Sequence, residues 1–394
     1  MRTAGAGILP GTMMRSDGKN ETRSVVLPAA RPEHAHKSRG ARSFLAGRFE
    51  KDARDPFDDG WTTEDASTEP LATTVTEERA RSIIARNDSP DIPFEQSINP
   101  YRGCEHGCIY CYARPSHAYL ELSPGLDFES RLFAKTNAVE LLRAELGKPG
   151  YRCSPIAFGA NTDCYQPLER RYRLTRGAIE LLSDCRHPLT IVTKSALVER
   201  DLDLLAPMAR DNLAKVFVSI TTLDRVLARR MEPRAASPQR RLHSLRALTA
   251  AGVPCGVMVA PVIPALNDSS IEEVLEAARC AGASMAGYQM LRLPNELKIL
   301  FREWLAAHYP QRAEHVMSIV RQIRGGRDND PRFGQRMTGS GNYAELAARR
   351  FAISCRRLGL NGEERGTRAR RALDCSLFRP PPPPSEKPAQ LALF

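Results

Sequence analysis

The sequence predicts an α/β fold: an incomplete parallel barrel of about six β/α units, with a C-terminal helical extension and disordered tails. Two observations predict it. Short apolar runs, several of them rich in Val and Ile, alternate with longer stretches whose apolar residues recur at helical spacing. The two ends of the chain are instead polar and rich in Arg, Ser or Pro, and they show no sustained period.

Six short runs are predicted strands, and four amphipathic stretches between the last five of them are predicted helices. The predicted strands are QSINP (96–100), PIAFGA (155–160), LTIVTK (189–194), KVFVSI (215–220), PCGVMVAPVI (254–263) and AGYQMLRL (286–293). The predicted helices are 174–185, 200–211, 238–252 and 270–282. Strands that alternate with helices favour a parallel sheet, whose active residues lie at the C-terminal strand ends.

Four regions follow from this pattern. They are a disordered basic tail (1–88), the barrel (89–310), a helical extension (311–376) and a Pro-rich tether with the chain end (377–394). Further helices are expected near 295–307, 311–324 and 342–358. The Pro-rich segment Arg379–Gln390 predicts a semi-extended polyproline spacer.

Composition narrows the class of protein. The 394 residues carry a net charge of +11, and most of the excess lies at the two ends. Basic ends either keep the protein soluble or attract a polyanion such as DNA or RNA. No apolar run is long enough to span a membrane, and the N-terminus lacks the apolar core of a secretory signal. We therefore expect a cytoplasmic protein whose clustered cysteines serve metal binding or catalysis.

The strongest motif is NPYRGCEHGCIYCYARP (99–115), which follows the first predicted strand. It places Cys104, Cys108 and Cys111 on one loop. Three thiolates this close together can ligate three irons of a cubane [4Fe–4S] cluster and leave the fourth iron without a protein ligand. An open iron can bind a substrate directly, as open catalytic metal sites do.

A structural zinc site is the alternative for this motif. Zinc normally takes four ligands, usually as two separated pairs, and His106 would have to supply the fourth from between two of the cysteines. The spacing of the three cysteines therefore favours the iron–sulfur cluster over zinc. Gly103 and Gly107 also suit a loop that wraps closely around the sulfur atoms of a cluster.

The motif resembles that of the radical S-adenosylmethionine (SAM) superfamily and, more narrowly, of its spore photoproduct lyase-like subfamily, which also has tyrosines on both sides of the third cysteine. The similarity spans roughly residues 92–293. It continues through GANTDCYQPLE (159–169), TKS (193–195), VSITTLD (218–224), EPRA (232–235) and GVMVAPVIPALND (256–268). The resemblance implies an incomplete TIM-like barrel that binds a [4Fe–4S] cluster and S-adenosylmethionine. It also implies a flavodoxin- or ferredoxin-type electron donor.

The resemblance also implies residues that bind S-adenosylmethionine. Lys194 would pair with the cofactor's carboxylate, Ser219 would hydrogen-bond it, and Asp163 would hold its ammonium group or ribose. The alternatives are a lysine that reaches solvent, an ordinary strand-end hydroxyl and a loop-capping aspartate. Glu232 and Arg234 would line the substrate pocket, or would form a buried ion pair that fixes a loop.

Catalytic residues follow from the same resemblance. Tyr110 and Tyr112 would relay a hydrogen atom or shield the radical, unless they only exclude water from the cluster. The spore lyase uses a hydrogen-donor cysteine where this chain has Ala160, which makes the spore photoproduct reaction itself doubtful. Cys164, four residues further on, is either an alternative donor or a packing residue.

The chain ends in the pentapeptide Gln390-Leu391-Ala392-Leu393-Phe394. It resembles the peptide by which bacterial polymerases and repair factors dock on the β sliding clamp. Apolar anchors on a flexible tether can fill a partner's groove, although they can also fold back onto the protein's own core.

The leading hypothesis is a radical enzyme that acts on DNA, by lesion repair or base modification. It combines the basic ends, the clamp-like pentapeptide and the lyase resemblance. One alternative is a radical enzyme acting on RNA or a small metabolite. The other is a clamp-associated iron–sulfur sensor of redox state or iron without catalytic activity.

Overall fold

The computed structural model describes residues 39–50, 71–362 and 372–382, and all of them belong to one unit of the fold. The strands are β1 (Thr74–Glu78), β2 (Ile84–Arg86), β3 (Gln96–Ile98), β4 (Tyr101–Arg102), β5 (Arg131–Lys135), β6 (Ile156–Phe158), β7 (Leu189–Thr193), β8 (Ala214–Ser219), β9 (Cys255–Val262) and β10 (Met285–Met290). The helices are α1 (Asp127–Ser130), α2 (Ala138–Leu146), α3 (Glu169–Tyr172), α4 (Leu174–Asp184), α5 (Leu202–Arg210), α6 (Arg225–Met231), α7 (Pro238–Ala250), α8 (Ile271–Cys280), α9 (Leu297–His308), α10 (Ala313–Gln322) and α11 (Asn342–Leu358).

The larger sheet has seven strands in the order β10-β9-β8-β7-β6-β3-β2. Its first six strands run parallel to their neighbours, and β2 pairs with β3 in the antiparallel direction. The six parallel strands are those predicted from the apolar runs. Within the described residues β2 and β10 do not pair, so the sheet stays open. This confirms the prediction of an incomplete parallel α/β barrel.

The core lies between this sheet and the helices that cover it. Ile191, Val218 and Val257, one from each of three neighbouring strands, have no exposed surface. On α4, Ile179 and Leu182 are also fully buried, because helical spacing places them on the same face. Packing of the helices against the sheet positions the strand ends that carry the polar residues discussed below.

A smaller sheet, in the order β1-β5-β4, lies outside the predicted barrel. Thr74 of β1 pairs with Arg131 of β5 in a parallel register. The prediction that all of residues 1–88 form a disordered tail is therefore wrong for 39–50 and 71–88. β1 has no apolar run that would predict a strand. All five of its residues are exposed or half-buried, and its partner strand lies far along the chain.

The helices predicted after the barrel are present as α9, α10 and α11. Beyond them, the segment 372–382 returns to the body of the protein. The backbone N–H of Asp374 donates to the carbonyl of Asn212 (3.1 Å), and that of Arg379 donates to the carbonyl of Cys185 (2.8 Å). The pentapeptide 390–394 lies outside the described residues. Among the helices that are described, none is long and apolar enough to cross a bilayer.

Gly159→Ala is expected to destabilise the barrel by more than Gly150→Ala does. Both glycines have positive φ, +78° and +80°, which costs a side chain about 1–2 kcal/mol. A Cβ at Gly159 would also lie 2.0 Å from the Val192 carbonyl oxygen, whereas nothing lies within 4 Å of one at Gly150. We expect overpacking to add about 1–3 kcal/mol at Gly159, measured by urea unfolding. Equal losses for the two variants would contradict this.

Candidate active site at the cysteine loop

The cysteine loop begins directly after β3, at the C-terminal edge of the barrel strands. The backbone N–H of Cys104 donates to the Phe128 carbonyl (2.9 Å), and that of Ile109 donates to the Met231 carbonyl (3.0 Å). Cys104 and Cys108 are each 7% exposed, and Cys111 is half-buried. The fold thus holds all three thiols on one short loop over the strand ends.

The surroundings of Cys104 and Cys108 disfavour the ionised thiolate, so a bound cationic group would be needed to stabilise it. Burial raises the pKa of Cys104, and nearby Asp163, Cys108 and Cys111 raise it further. Burial also raises the pKa of Cys108 to about 12, against the opposing charge of Lys194. Iron stabilises buried thiolates that would otherwise be costly to ionise.

Among the described residues, no group of three or more His, Cys, Asp or Glu side chains has the arrangement that holds a single metal ion. A cubane needs no such arrangement, because it binds its three thiolates at three different irons. Soft thiolates are the ligands that iron–sulfur clusters take. The donor set therefore fits a cluster.

Two glycines make the tight course of the loop possible. Gly103 and Gly107 have φ values of +71° and +67°. A Cβ at Gly103 would lie 2.6 Å from Leu132 Cδ2, and one at Gly107 would lie 2.6 Å from Glu129 Oε2. Both positions therefore need glycine for its backbone conformation and for its size.

A fully buried ion pair between Arg114 and Glu129 stabilises the backbone of the cysteine loop. The Arg114 guanidinium donates to Glu129 Oε1 (2.5 Å), to the Cys108 carbonyl (2.9 Å) and to the Gly107 carbonyl (3.1 Å). It also donates to the carbonyl of Gly125 (2.9 Å). Sequence reasoning missed this pair. Arg114 lies within the cysteine motif, three residues after Cys111, but nothing in the sequence shows that its partner is Glu129.

Residues 39–50 form a strap over the same loop. The backbone N–H groups of Gly40 and Ala41 donate to the two carboxylate oxygens of Glu129 (2.9 and 2.8 Å). A Cβ on Gly40 would lie 1.8 Å from the Gly107 carbonyl oxygen. The strap thus lies in direct contact with the backbone of the cysteine loop, and Glu129 binds both segments.

Asp163 fixes the end of β7. Its carboxylate accepts hydrogen bonds from the Lys194 backbone N–H (2.7 Å) and from Thr193 Oγ1 (2.7 Å), and His106 Nδ1 lies 3.3 Å away. Burial alone would raise the pKa of Asp163, but His106 and these hydrogen bonds hold it below its ordinary value. These contacts match the loop-capping alternative, and the predicted contact with the cofactor stays a prediction.

The Lys194 ammonium lies beside the cysteine loop, with Nζ 5.7 Å from the centre of the Tyr110 ring. Burial alone would lower the pKa of Lys194, but the negative charges of Cys108 and Glu232 raise it above the ordinary lysine value. The structure therefore places a charged amine next to the thiols. Lys194 as a whole is half-buried, so its pairing with the cofactor and the alternative of a lysine that reaches solvent both stay predictions.

Tyr110 and Ser219 are joined by a buried polar network. Glu232 accepts hydrogen bonds from the Tyr110 hydroxyl, from Thr221 Oγ1 and from the Arg241 guanidinium. Arg241 also donates to the Ser219 carbonyl (2.9 Å). Burial alone would raise the pKa of Glu232, but Arg241 and Lys194 hold it below the ordinary value. The Ser219 hydroxyl donates to the Ala260 carbonyl (3.3 Å).

Glu232 and Arg234 do not pair with each other. Glu232 pairs with Arg241, whereas Arg234 pairs with Glu105 of the cysteine loop at 2.6 Å. The alternative of a buried ion pair is therefore present for Glu232, with a partner that the sequence did not indicate. Arg241 lies inside a predicted helix, where its burial gives no sequence signal.

Tyr112 lies on the solvent side of the loop, with 41% of its surface exposed. Its hydroxyl donates to the Ala160 carbonyl, and the Arg292 guanidinium lies 5.3 Å from the centre of its ring. The buried Nε of Arg292 has no hydrogen-bond partner among the described residues. Sequence reasoning missed Arg292, although it lies at the end of a predicted strand. Tyr112, Ala160 and Arg292 border what we call the barrel mouth.

Cys164 does not lie at the mouth. It has no exposed surface and packs in the main hydrophobic core. Burial raises the pKa of its thiol well above the ordinary value. This placement favours the packing interpretation over a hydrogen-donor role.

Comparison with known proteins agrees with this geometry. The family model of the radical SAM superfamily matches residues 98–278. An uncharacterized protein of Mycobacterium tuberculosis is 40% identical over 233 residues, which are 59% of this chain and 68% of the relative. The chain belongs to the radical SAM superfamily. A second relative, an uncharacterized protein of Methanocaldococcus jannaschii, is 28% identical over 219 residues, 56% of this chain and 78% of the relative.

Solved structures show the same fold. This radical SAM protein is similar to spore photoproduct lyase complexed with dinucleoside spore photoproduct, with a TM-score of 0.53 and 18% identity over 73% of this chain and 80% of the lyase. A tyrosine-to-phenylalanine variant of the lyase has a TM-score of 0.52 and 17% identity over the same shares of the two chains. These structures confirm the predicted fold, and the superfamily membership shown by the family model and the mycobacterial relative makes the protein a radical SAM enzyme.

Proposed function

We propose that Cys104, Cys108 and Cys111 hold a [4Fe–4S] cluster and that S-adenosylmethionine binds beside it at the barrel mouth. The observation that supports this most directly is the set of three thiols on one loop, next to the charged amine of Lys194. When bound, the reduced cluster supplies the electron that splits the cofactor's sulfur–carbon bond and generates a 5′-deoxyadenosyl radical.

The chain's own residues bind and orient the cofactor. Lys194 pairs with its carboxylate, because a half-buried ammonium that forms no ion pair with any described residue favours an anionic ligand. Asp163 acts chiefly by holding the Lys194 backbone in place, and its contact with the cofactor's ammonium is part of the proposal. Ser219 lies one strand on. Within the described part of the chain its hydroxyl donates a single, long hydrogen bond of 3.3 Å, so it can turn towards the carboxylate.

The two tyrosines have different surroundings and so different proposed roles. Tyr110 is buried and donates to Glu232, which suits exclusion of water from the cluster. Tyr112 is partly exposed at the mouth, beside Arg292. It is therefore the better placed of the two to meet the substrate and relay a hydrogen atom.

The proposed substrate is DNA, altered by lesion repair or by base modification. The net charge of +11 favours a polyanion. The fold is similar to that of a lyase whose solved complex contains a dinucleoside photoproduct. Because Ala160 stands where that lyase has its hydrogen-donor cysteine, we propose a reaction on DNA other than spore photoproduct repair. We propose the cytoplasm as its location.

The test uses anaerobic, cluster-loaded protein reduced with dithionite and given S-adenosylmethionine and ultraviolet-damaged DNA. We expect 5′-deoxyadenosine and altered nucleosides by mass spectrometry, neither of them in samples without S-adenosylmethionine. DNA affinity should fall steeply with salt. Production of 5′-deoxyadenosine with RNA or a metabolite but not with DNA would show that the substrate is not DNA. A reduced, loaded sample that makes none would favour the sensor hypothesis.

The C-terminal pentapeptide is proposed to dock on the β sliding clamp. Deleting residues 390–394 is expected to abolish binding to purified clamp in surface plasmon resonance, because Leu391, Leu393 and Phe394 supply the apolar anchors. The matched control is Lys387→Ala in the tether, which should bind as the wild type does. Clamp binding that survives the deletion would contradict the proposal.

A further inference from the structure

A cleft of about 860 Å³ lies beside the cysteine loop, between the strap and α6. Arginines dominate its lining, with Arg39, Arg42, Arg225, Arg229, Arg230 and Arg241. We call it the arginine cleft. None of the three motif cysteines is among its lining residues, and neither are Lys194 and Tyr112. The cleft thus opens away from the residues that border the barrel mouth, and it shares only Glu232 and Arg241 with the network around Tyr110.

The wall of the arginine cleft contacts the cysteine loop directly. Gly40 and Pro233 both line the cleft. A Cβ on Gly40 would lie 1.8 Å from the Gly107 carbonyl oxygen, and one on Gly107 would lie 3.4 Å from Pro233 Cγ. Gly107 directly precedes Cys108. A molecule in the cleft would thus be separated from a proposed cluster ligand by a single layer of residues.

The positive charge of the cleft is largely uncompensated. Arg225 and Arg229 are exposed and form no ion pair with any described residue. Two of the buried carboxylates nearby are already engaged, since Glu232 pairs with Arg241 and Glu129 pairs with Arg114. Unpaired arginines around a concave surface attract and orient an acidic partner.

We propose that the arginine cleft docks the acidic protein, of the flavodoxin or ferredoxin class, that reduces the cluster. The inference rests on the proposed cluster. One electron leaves the donor, which is oxidised by one electron, and the cluster is reduced by one, with no atom transferred. DNA would also be attracted by arginines, but Tyr112, which we propose meets the substrate, is not among the residues of the cleft.

The test is binding of purified flavodoxin to the full-length protein, by calorimetry at low salt, with and without the cluster. The double variant Arg225→Glu, Arg229→Glu is expected to bind about tenfold more weakly and with a flatter salt dependence. The matched control is the double variant Arg349→Glu, Arg357→Glu on the exposed surface of α11. It changes the net charge by the same amount and should bind flavodoxin with nearly the wild-type affinity.

Three further outcomes decide the proposal. The α6 variant should bind a DNA oligonucleotide as the wild type does, and lost DNA affinity with intact flavodoxin binding would overturn the proposal in favour of a DNA surface. Equal losses in the α6 and α11 variants would overturn it as a net-charge effect. Dithionite-driven formation of 5′-deoxyadenosine bypasses the donor and should be unchanged in the α6 variant. If the wild type forms no 5′-deoxyadenosine with dithionite, the proposed function is refuted, whereas the measured flavodoxin affinity still tests the docking site.

Discussion

Cys108→Ala is expected to abolish iron–sulfur loading and, with it, cleavage of S-adenosylmethionine. The proposed cubane would keep only two protein ligands, and Lys194 would lose the neighbouring thiolate whose charge helps to raise its pKa. The measurements are iron and sulfide content, the visible absorption of the reconstituted protein, and 5′-deoxyadenosine formed after reduction. We expect product at the background level.

The matched control is Cys164→Ala, which removes a thiol from the hydrophobic core six residues after the end of β6. It should load iron normally and retain 5′-deoxyadenosine formation, with a modest loss of stability. If Cys108→Ala still forms a cluster that cleaves S-adenosylmethionine, the assignment of ligands is wrong. If Cys164→Ala cleaves the cofactor but no longer alters its substrate, the hydrogen-donor alternative is correct.

Arg114→Met is expected to cost about 3–5 kcal/mol of the free energy of unfolding, because it leaves the Glu129 carboxylate buried without its partner. The carbonyls of Gly107 and Cys108 would also lose a donor. We therefore expect weaker cluster retention in addition to the loss of stability. Urea unfolding of the cluster-free protein measures the first effect, and iron release to a chelator measures the second.

Arg79→Met is the control for this prediction. Arg79 pairs with Glu140 at 3.2 Å, but both side chains are 71% exposed. Exposed pairs contribute about 0–1 kcal/mol, so this variant should remain close to the wild type in both measurements. A loss below about 1 kcal/mol for Arg114→Met would mean that the loop is supported mainly by the tight packing around Gly103 and Gly107.

The barrel was predictable because its strands are largely apolar and every residue in them is buried or half-buried. Runs such as LTIVTK leave a clear apolar signal, and the parallel strands occur where these runs lie. The helix predicted at 342–358 has those same bounds in α11. The smaller sheet was not predictable, since β1 is polar and pairs with β5, more than fifty residues away.

The site was predictable only as far as local spacing determines it. The three cysteines and Lys194 each lie in a short motif or at a strand end. Arg114 and Arg241 gave no signal, because an arginine becomes a buried structural residue only when a distant carboxylate reaches it. Sequence therefore indicates which groups perform the chemistry, and the tertiary fold determines which groups hold them in position.

The attachment of the segment 372–382 has a geometric consequence. Cys185 and Asn212, to which it is bonded, precede β7 and β8, whereas Lys194 and Ser219 stand at the opposite ends of those strands. The barrel mouth and the attached C-terminal segment therefore lie at opposite ends of these strands. If a partner bound the C-terminus, the barrel mouth would face away from that partner.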